Sequence, residues 1–100
     1  MITEIVVLYV KENQIQQFED DFRKAGKYIS AITGYRKHSL QKCLEINNKY
    51  VLLVEWDNIE DHTIRFRESD EYQLWKKLLH HHYEPFPVVE HFYSINIEAV

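Results

Sequence analysis

The chain is poor in the residues that make tight turns and cross-links. Two glycines, two prolines and one cysteine occur among its 100 residues. With so few glycines it carries neither a P-loop nor a dinucleotide-binding Gly motif, and no Ser-His-Asp order of the hydrolase motifs is present. The lone Cys43 makes no internal disulfide. It points to a reducing cytoplasm and reads as a semi-buried structural thiol more readily than as a nucleophile. Basic runs are short: Arg36-Lys37-His38 and Lys76-Lys77 are the longest, and the formal charge is −4, so nucleic acid is not an expected partner. No apolar run approaches the roughly 20 residues of a membrane span. The N-terminus lacks the basic and apolar regions of a signal peptide, so the expected location is cytoplasmic with no membrane partner.

What is present is an ordinary globular composition, 45% apolar and 28% charged, with aromatics raised to 14% by seven Tyr. Such an excess suits a ligand pocket or an adhesive interface. The length favours a single domain over residues 1–100. Ile2 to Val10 is apolar on both alternation faces and reads as a strand covered on both sides. From Lys11 to Thr33, Ile15, Phe18, Phe22, Ala25, Ile29 and Ile32 step by three or four and predict a helix with one apolar stripe, closed by Gly34. Tyr35 to Leu44 is a more polar strand, expected at an edge. Asn47-Asn48 turns the chain into Tyr50 to Trp56, a third strand. Asp57, with Glu60 in the capping-box position, is expected to cap a short helix whose inner face holds Ile59, His62 and Phe66. Ser69 caps a further helix to about His81, with Trp75, Leu78, Leu79 and His82 inward. Glu84-Pro85-Phe86-Pro87 ends it, and Val88 to Ile97 is the fourth strand.

The order β-α-β-β-α-α-β predicts an α+β fold, a ferredoxin-like four-stranded antiparallel sheet with helices on one face. Helices cover only that face. The other still carries apolar side chains from the first, third and fourth strands, a patch that a second copy packed sheet to sheet would cover. A C2 homodimer is therefore expected.

The stretch from Trp56 to Phe92 holds both Trp, both Pro and five of the six His. Its V-E-W-D segment, the R-F-R-E-S-D-E-Y helix junction and L-L-H-H-H-Y-E-P-F-P-V-V-E-H-F resemble the antibiotic biosynthesis monooxygenase (ABM) domain family. Element order and length extend the resemblance over nearly the whole chain. The resemblance implies a dimeric α+β barrel with a pocket between sheet and helices. Characterised branches oxidise polycyclic phenols or quinols with O2 and without metal or flavin, or bind and degrade heme. The heme-degrading branch uses an Asn on the first strand, a Trp on the second helix and a His on the third. This chain has no Asn between Met1 and Val10 and no Trp between Asp57 and Arg67, which disfavours heme chemistry. Asn58, Trp75 and Tyr72 supply the residue types of the polyketide-oxidising branch.

Oxygenating a phenol without a cofactor requires a base, a donor to hold the anion and an apolar cavity that excludes water. His62, on an apolar helix face, is the expected base; the bland alternative is a core His bonded to a backbone carbonyl. Tyr72 and His81 are the expected polar catalytic contacts. Phe66, Trp75, His82 and Arg65 are the expected substrate-binding residues, against the ordinary readings of Trp75 as core and Arg65 as a salt-bridge partner of Asp61 or Glu68. The His80-His81-His82 run does not predict a metal site, because consecutive helical residues point about 100° apart and no His pair is spaced i, i+4. No cofactor is expected. The expected activity is a cofactor-independent monooxygenase acting on a small aromatic, phenolic or quinol compound with O2. The alternative is a non-catalytic ligand-binding or stress-related dimeric module of the same fold, with heme binding third.

Overall fold

Alternation along the first strand decides which side chains go inside. In a computed structural model, which describes residues 1–98, β1 (Ile2–Tyr9) turns Glu4, Val6 and Leu8 inward, and Ile5, Val7 and Tyr9 outward. β1 lies between β3 (Lys49–Trp56) and β4 (Val89–Phe92), and β2 (Tyr35–Lys42) closes the far edge, giving the antiparallel order β2-β3-β1-β4. In register, Ile2 faces Trp56 on β3, and Glu4 faces His91 on β4.

The helices cover the inner face. α1 (Ile15–Ile29) buries Phe18, Phe22, Ala25 and Ile29 along the stripe expected from the sequence. It is shorter than the predicted span, because a 3-10 turn at Glu12–Gln14 precedes it and the chain leaves helical geometry after Ser30. α2 (Asp70–Leu79) starts as expected at Ser69, whose hydroxyl accepts from the Tyr72 amide at 3.0 Å. Trp75 and Leu79 are its buried residues. A separate 3-10 turn, His80–His82, follows it. Backbone bonds from Lys11 N–H to the His82 carbonyl (2.7 Å) and from Glu84 N–H to the Tyr9 carbonyl (3.0 Å) fasten this segment to the end of β1. β4 is shorter than the predicted Val88 to Ile97, because its pairing with β1 ends at Phe92.

The segment after β3 departs from expectation in an instructive way. Its Asp61–Phe66 portion is π-helical, with the Arg67 amide reaching back to the His62 carbonyl. Asp57 does not cap it; its carboxylate is paired with Arg36 on the surface. Asp61 serves instead. Its Oδ2 accepts from the Asn58 amide at 2.9 Å, and its Oδ1 meets Arg65 Nε at 3.0 Å. Asp61 is buried because Gly34 leaves room for it: a Cβ on Gly34 would lie 2.1 Å from the Asp61 carboxyl, and Gly34 has φ +94°. Ile59, predicted inward, is 40% exposed, since the widened turn rotates it off the face that holds His62 and Phe66.

Gly34→Ala is therefore expected to cost about 3 kcal/mol or more, combining a left-handed backbone with the loss of a buried carboxylate's contacts. In α1, a Cβ on Gly26 meets only the His38 ring at 3.5 Å. Gly26→Ala should then stabilise by about 0.5–1 kcal/mol through helix propensity. Urea unfolding of the two variants checks the opposite signs.

Candidate active site

β1 meets β3 and the π-helical turn that follows it, more than fifty residues further along the chain, at one site. From β1 comes Glu4, a carboxyl that strand alternation places among Val6, Leu8 and Val10 and leaves 5% exposed. β3 contributes Trp56, whose indole N–H donates to Glu4 Oε1 at 3.0 Å. The π-helical turn contributes His62, stacked on Trp56 with 25° between the ring planes. His62 Nε2 lies 3.5 Å from Glu4 Oε1, and its Nδ1 lies 2.8 Å from Nε2 of His91 on β4.

The array borders a cavity of about 50 Å³. Val6, Leu8, Phe18, Phe22, Leu52 and Val89 give it apolar walls; Phe66, Trp75 and Tyr83 add aromatic ones. Glu4, His62, Arg67, Tyr72 and His80 bring the polar groups, and Phe86 and Pro87 close one side. Phe86 is 67% exposed, so little packing holds its ring in place.

Burial dominates the electrostatics. It raises the Glu4 carboxyl to about 7, although the Trp56 hydrogen bond and the Arg67 charge pull the other way. Burial lowers His62 to about 3, helped by Arg67 and His91. The short Glu4–His62 approach would suit an ion pair, but two charges at this depth lose more hydration than their attraction returns. The imidazole is therefore neutral, and the carboxyl is the group that titrates near neutrality. His80 is held down to about 4 by burial and by Lys76 and Arg67. His91 is lowered by burial and Arg67, and the buried Tyr83 hydroxyl is raised.

Of the residues singled out from the sequence, His62, Phe66, Tyr72 and Trp75 are brought together around this cavity. Arg65, His81 and His82 are not. Arg65 points outward to Asp61, and Arg67 takes the place by the cavity because the wider π turn shifts the phase of the side chains that follow. His81 is exposed. His82 is buried on the far side, with Nε2 2.8 Å from Asp21 and Nδ1 2.9 Å from Gln14. Asp21, His81 and His82 place ligand atoms within 4.8 Å of one another, but both His82 nitrogens are already engaged by Asp21 and Gln14. His80 lines the cavity against Tyr72 and Phe86, because the helix ends at Leu79 and the tighter 3-10 turn redirects it. The sequence reading missed Glu4 altogether. Its partial signal was a strand parity shared with Val6 and Leu8, which becomes decisive only once strand pairing fixes the inward face.

A folded-state value raised from 4.5 to about 7 means that Glu4 favours the fold fully only below 4.5, and that this contribution is lost as pH rises through 7. Glu4→Gln keeps the Trp56 hydrogen bond and removes the ionisation. Near pH 8.5 the variant should be more stable than the parent, by on the order of 3 kcal/mol from 1.36 kcal/mol per pKa unit, and the gap should close as pH falls toward 4.5. Thermal melts across that range test it.

Comparison with known proteins agrees with this architecture. The sequence model of the family described as "Antibiotic biosynthesis monooxygenase" matches residues 1–78. YczJ, an uncharacterized protein of Bacillus subtilis, is 55% identical over 95 residues, which is 95% of this chain and all of that one. A structure from Bordetella bronchiseptica, assigned to the antibiotic biosynthesis monooxygenases, superposes with a TM-score of 0.90 at 26% identity, covering 95% of this chain and 97% of that one. SnoaB, a cofactor-independent oxygenase from Streptomyces nogalater, superposes with a TM-score of 0.83 at 16% identity, covering 96% and 94%, a likeness of fold. With the family matched over most of its length and the ferredoxin-like sheet in place, the chain belongs to the antibiotic biosynthesis monooxygenase family.

Proposed function

We propose that the protein is a cofactor-independent monooxygenase of a small phenol or quinol. The observation that carries this reading is an apolar, aromatic-walled cavity faced by one buried carboxyl–imidazole pair, Glu4 and His62, and one cation, Arg67. A phenol entering it would lose its proton to the pair, and the phenolate would be held by Arg67 and by the Tyr72 hydroxyl. The electron-rich ring then passes an electron to O2, and recombination forms a carbon–oxygen bond. Loss of water leaves a quinone: one oxygen atom enters the ring, the other departs as water, and the substrate supplies all four electrons. No external reductant is consumed. The small cavity favours a single ring. It lies well below the roughly 150 Å³ that accepts benzene in an engineered protein core, so a substrate must displace Phe86, the most weakly packed wall.

The same reading includes a homodimer. The outer sheet face carries Val7 at 38% and Tyr9 at 39% exposure, with Ile5, Val51 and Leu53 half-buried beside them. A second copy laid sheet to sheet would remove this apolar surface from water. No helix among the described residues is long and apolar enough to cross a membrane, so a lipid bilayer does not compete for it through a spanning helix.

Oxygen uptake with a panel of hydroquinones and substituted phenols should depend on the protein and fall by about 100-fold in His62→Ala. Uptake absent across the panel, with binding of the same compounds retained, would instead establish a ligand-binding module. Sedimentation at micromolar concentration should give a dimer, and Val7→Lys should shift it toward monomer.

A further inference from the structure

We propose that Glu4 is the general base, and that His62 and His91 form a relay that carries its proton from the cavity to solvent at the β4 edge. This deepens the monooxygenase reading and rests on it. The geometry supplies each station. Both contacts of the carboxyl, Trp56 Nε1–H at 3.0 Å and His62 Nε2 at 3.5 Å, fall on Oε1, which leaves Oε2 as the oxygen to meet a substrate hydroxyl. His62 spans the gap between strands, with one ring nitrogen toward Glu4 and the other 2.8 Å from His91. His91 is the cross-strand neighbour of Glu4, on the four-residue edge strand, and is half-buried where the other two are covered. The carboxyl is only 5% exposed, so a defined path outward would speed its exchange of protons with solvent.

The transfers balance. The substrate O–H proton moves to Oε2, leaving phenolate and neutral Glu4. Rotation of the carboxyl brings its O–H to His62 Nε2. His62 releases its Nδ1 proton to His91 Nε2, and His91 releases its Nδ1 proton to water. Both rings end in the opposite tautomer, and the return of a proton along the same path, required when the second oxygen leaves as water, restores them. Neutral imidazoles are what such a relay requires, and the lowered values of His62 and His91 supply them. The charged and titratable groups around the carboxyl are Arg67 after the π turn, Tyr72 on α2, His80 and Tyr83 beyond it, and His91 on β4. Arg67 is the one cation in this set at neutral pH, and it favours the ionised carboxylate.

Infrared difference spectroscopy decides the proposal without knowledge of the substrate. A protonated-carboxyl C=O band, absent from Glu4→Gln, should titrate near neutral pH. After a pH jump its decay should slow severalfold in His91→Phe and in His91→Gln, with the midpoint little changed. A band titrating in the ordinary carboxylate range, or a decay rate unaffected by both His91 variants, would overturn the proposal. With a phenol or hydroquinone that the parent protein turns over, uptake should rise with pH through about 7. That ascending limb should vanish in Glu4→Gln and persist, at reduced rate, in His62→Ala. A limb that survives in Glu4→Gln assigns the base elsewhere. Failure of the parent protein to consume O2 overturns the monooxygenase reading, while the infrared titration still judges Glu4 and its exit.

Discussion

The Glu4 carboxyl, buried on the inner face of the central strand, is the constraint from which the rest of the interior follows. A carboxyl at that depth needs a donor, and the register of β1 against β3 provides one, because Ile2 pairs with Trp56 and so brings the indole N–H alongside. It also needs neighbours that tolerate both of its protonation states. His62 does so as a neutral ring that either donates or accepts, and Trp56 holds that ring by stacking. The aromatic lining then extends from these two through Phe66 to Tyr72 and Trp75 on α2, each ring meeting the next edge-on or tilted. The polar site and the hydrophobic core are therefore one structure, with the cavity at their boundary.

What holds His62 in place lies outside the cavity. The π-helical turn is an unusual conformation for so short a segment, and it persists because Asp61 is fixed from three directions: the Asn58 amide, the Arg65 guanidinium and the glycine wall at Gly34. A regular turn would change the phase between His62 and Phe66 and draw the imidazole away from Glu4. The chain spends one of its two glycines at this junction, where a side chain would push Asp61 out and release the turn. Stability of the junction and geometry of the site are thus coupled through residues that never touch the cavity.

Much of the architecture was legible because it rests on periodicity. The α1 stripe of Phe18, Phe22, Ala25 and Ile29, the Ser69 cap and the edge position of β2 follow from patterns that survive folding unchanged. Four cavity residues, His62, Phe66, Tyr72 and Trp75, were legible for the same reason. Glu4 was hidden because β1 is apolar on both faces, so that parity alone did not say which face meets the helices; pairing with β3 and β4 decides it. Arg67 and His80 were hidden by departures from helical phase, a widening at the π turn and a tightening at His80–His82. The triple His drew attention by its composition, yet its three rings part company: His80 to the cavity, His81 to solvent and His82 to Asp21. Local pattern identifies elements; the phase errors at their ends relocate single side chains.

The paired titrations of Glu4 and His62 give the site a distinctive energetic profile. Lowered from 6.5 to about 3, His62 adds stability above 6.5 that is lost as pH falls toward 3. The raised Glu4 does the opposite between 4.5 and about 7. Where the two windows overlap, between 4.5 and 6.5, the unfolded chain carries its proton on histidine and the folded chain carries one on the carboxyl, so the two slopes cancel. Above that overlap only Glu4 is still titrating, and folding becomes less favourable while the carboxyl acquires the charge that a base must have. Ionising the carboxyl thus draws on the stability of the fold, the usual opposition between an activated group and a relaxed structure. Arg67 moderates it, since its charge favours the ionised carboxylate and keeps the Glu4 value near neutrality rather than higher. A cation at the cavity wall therefore keeps the buried carboxyl able to give up its proton near neutral pH, and in the proposed reaction the same charge would steady the phenolate.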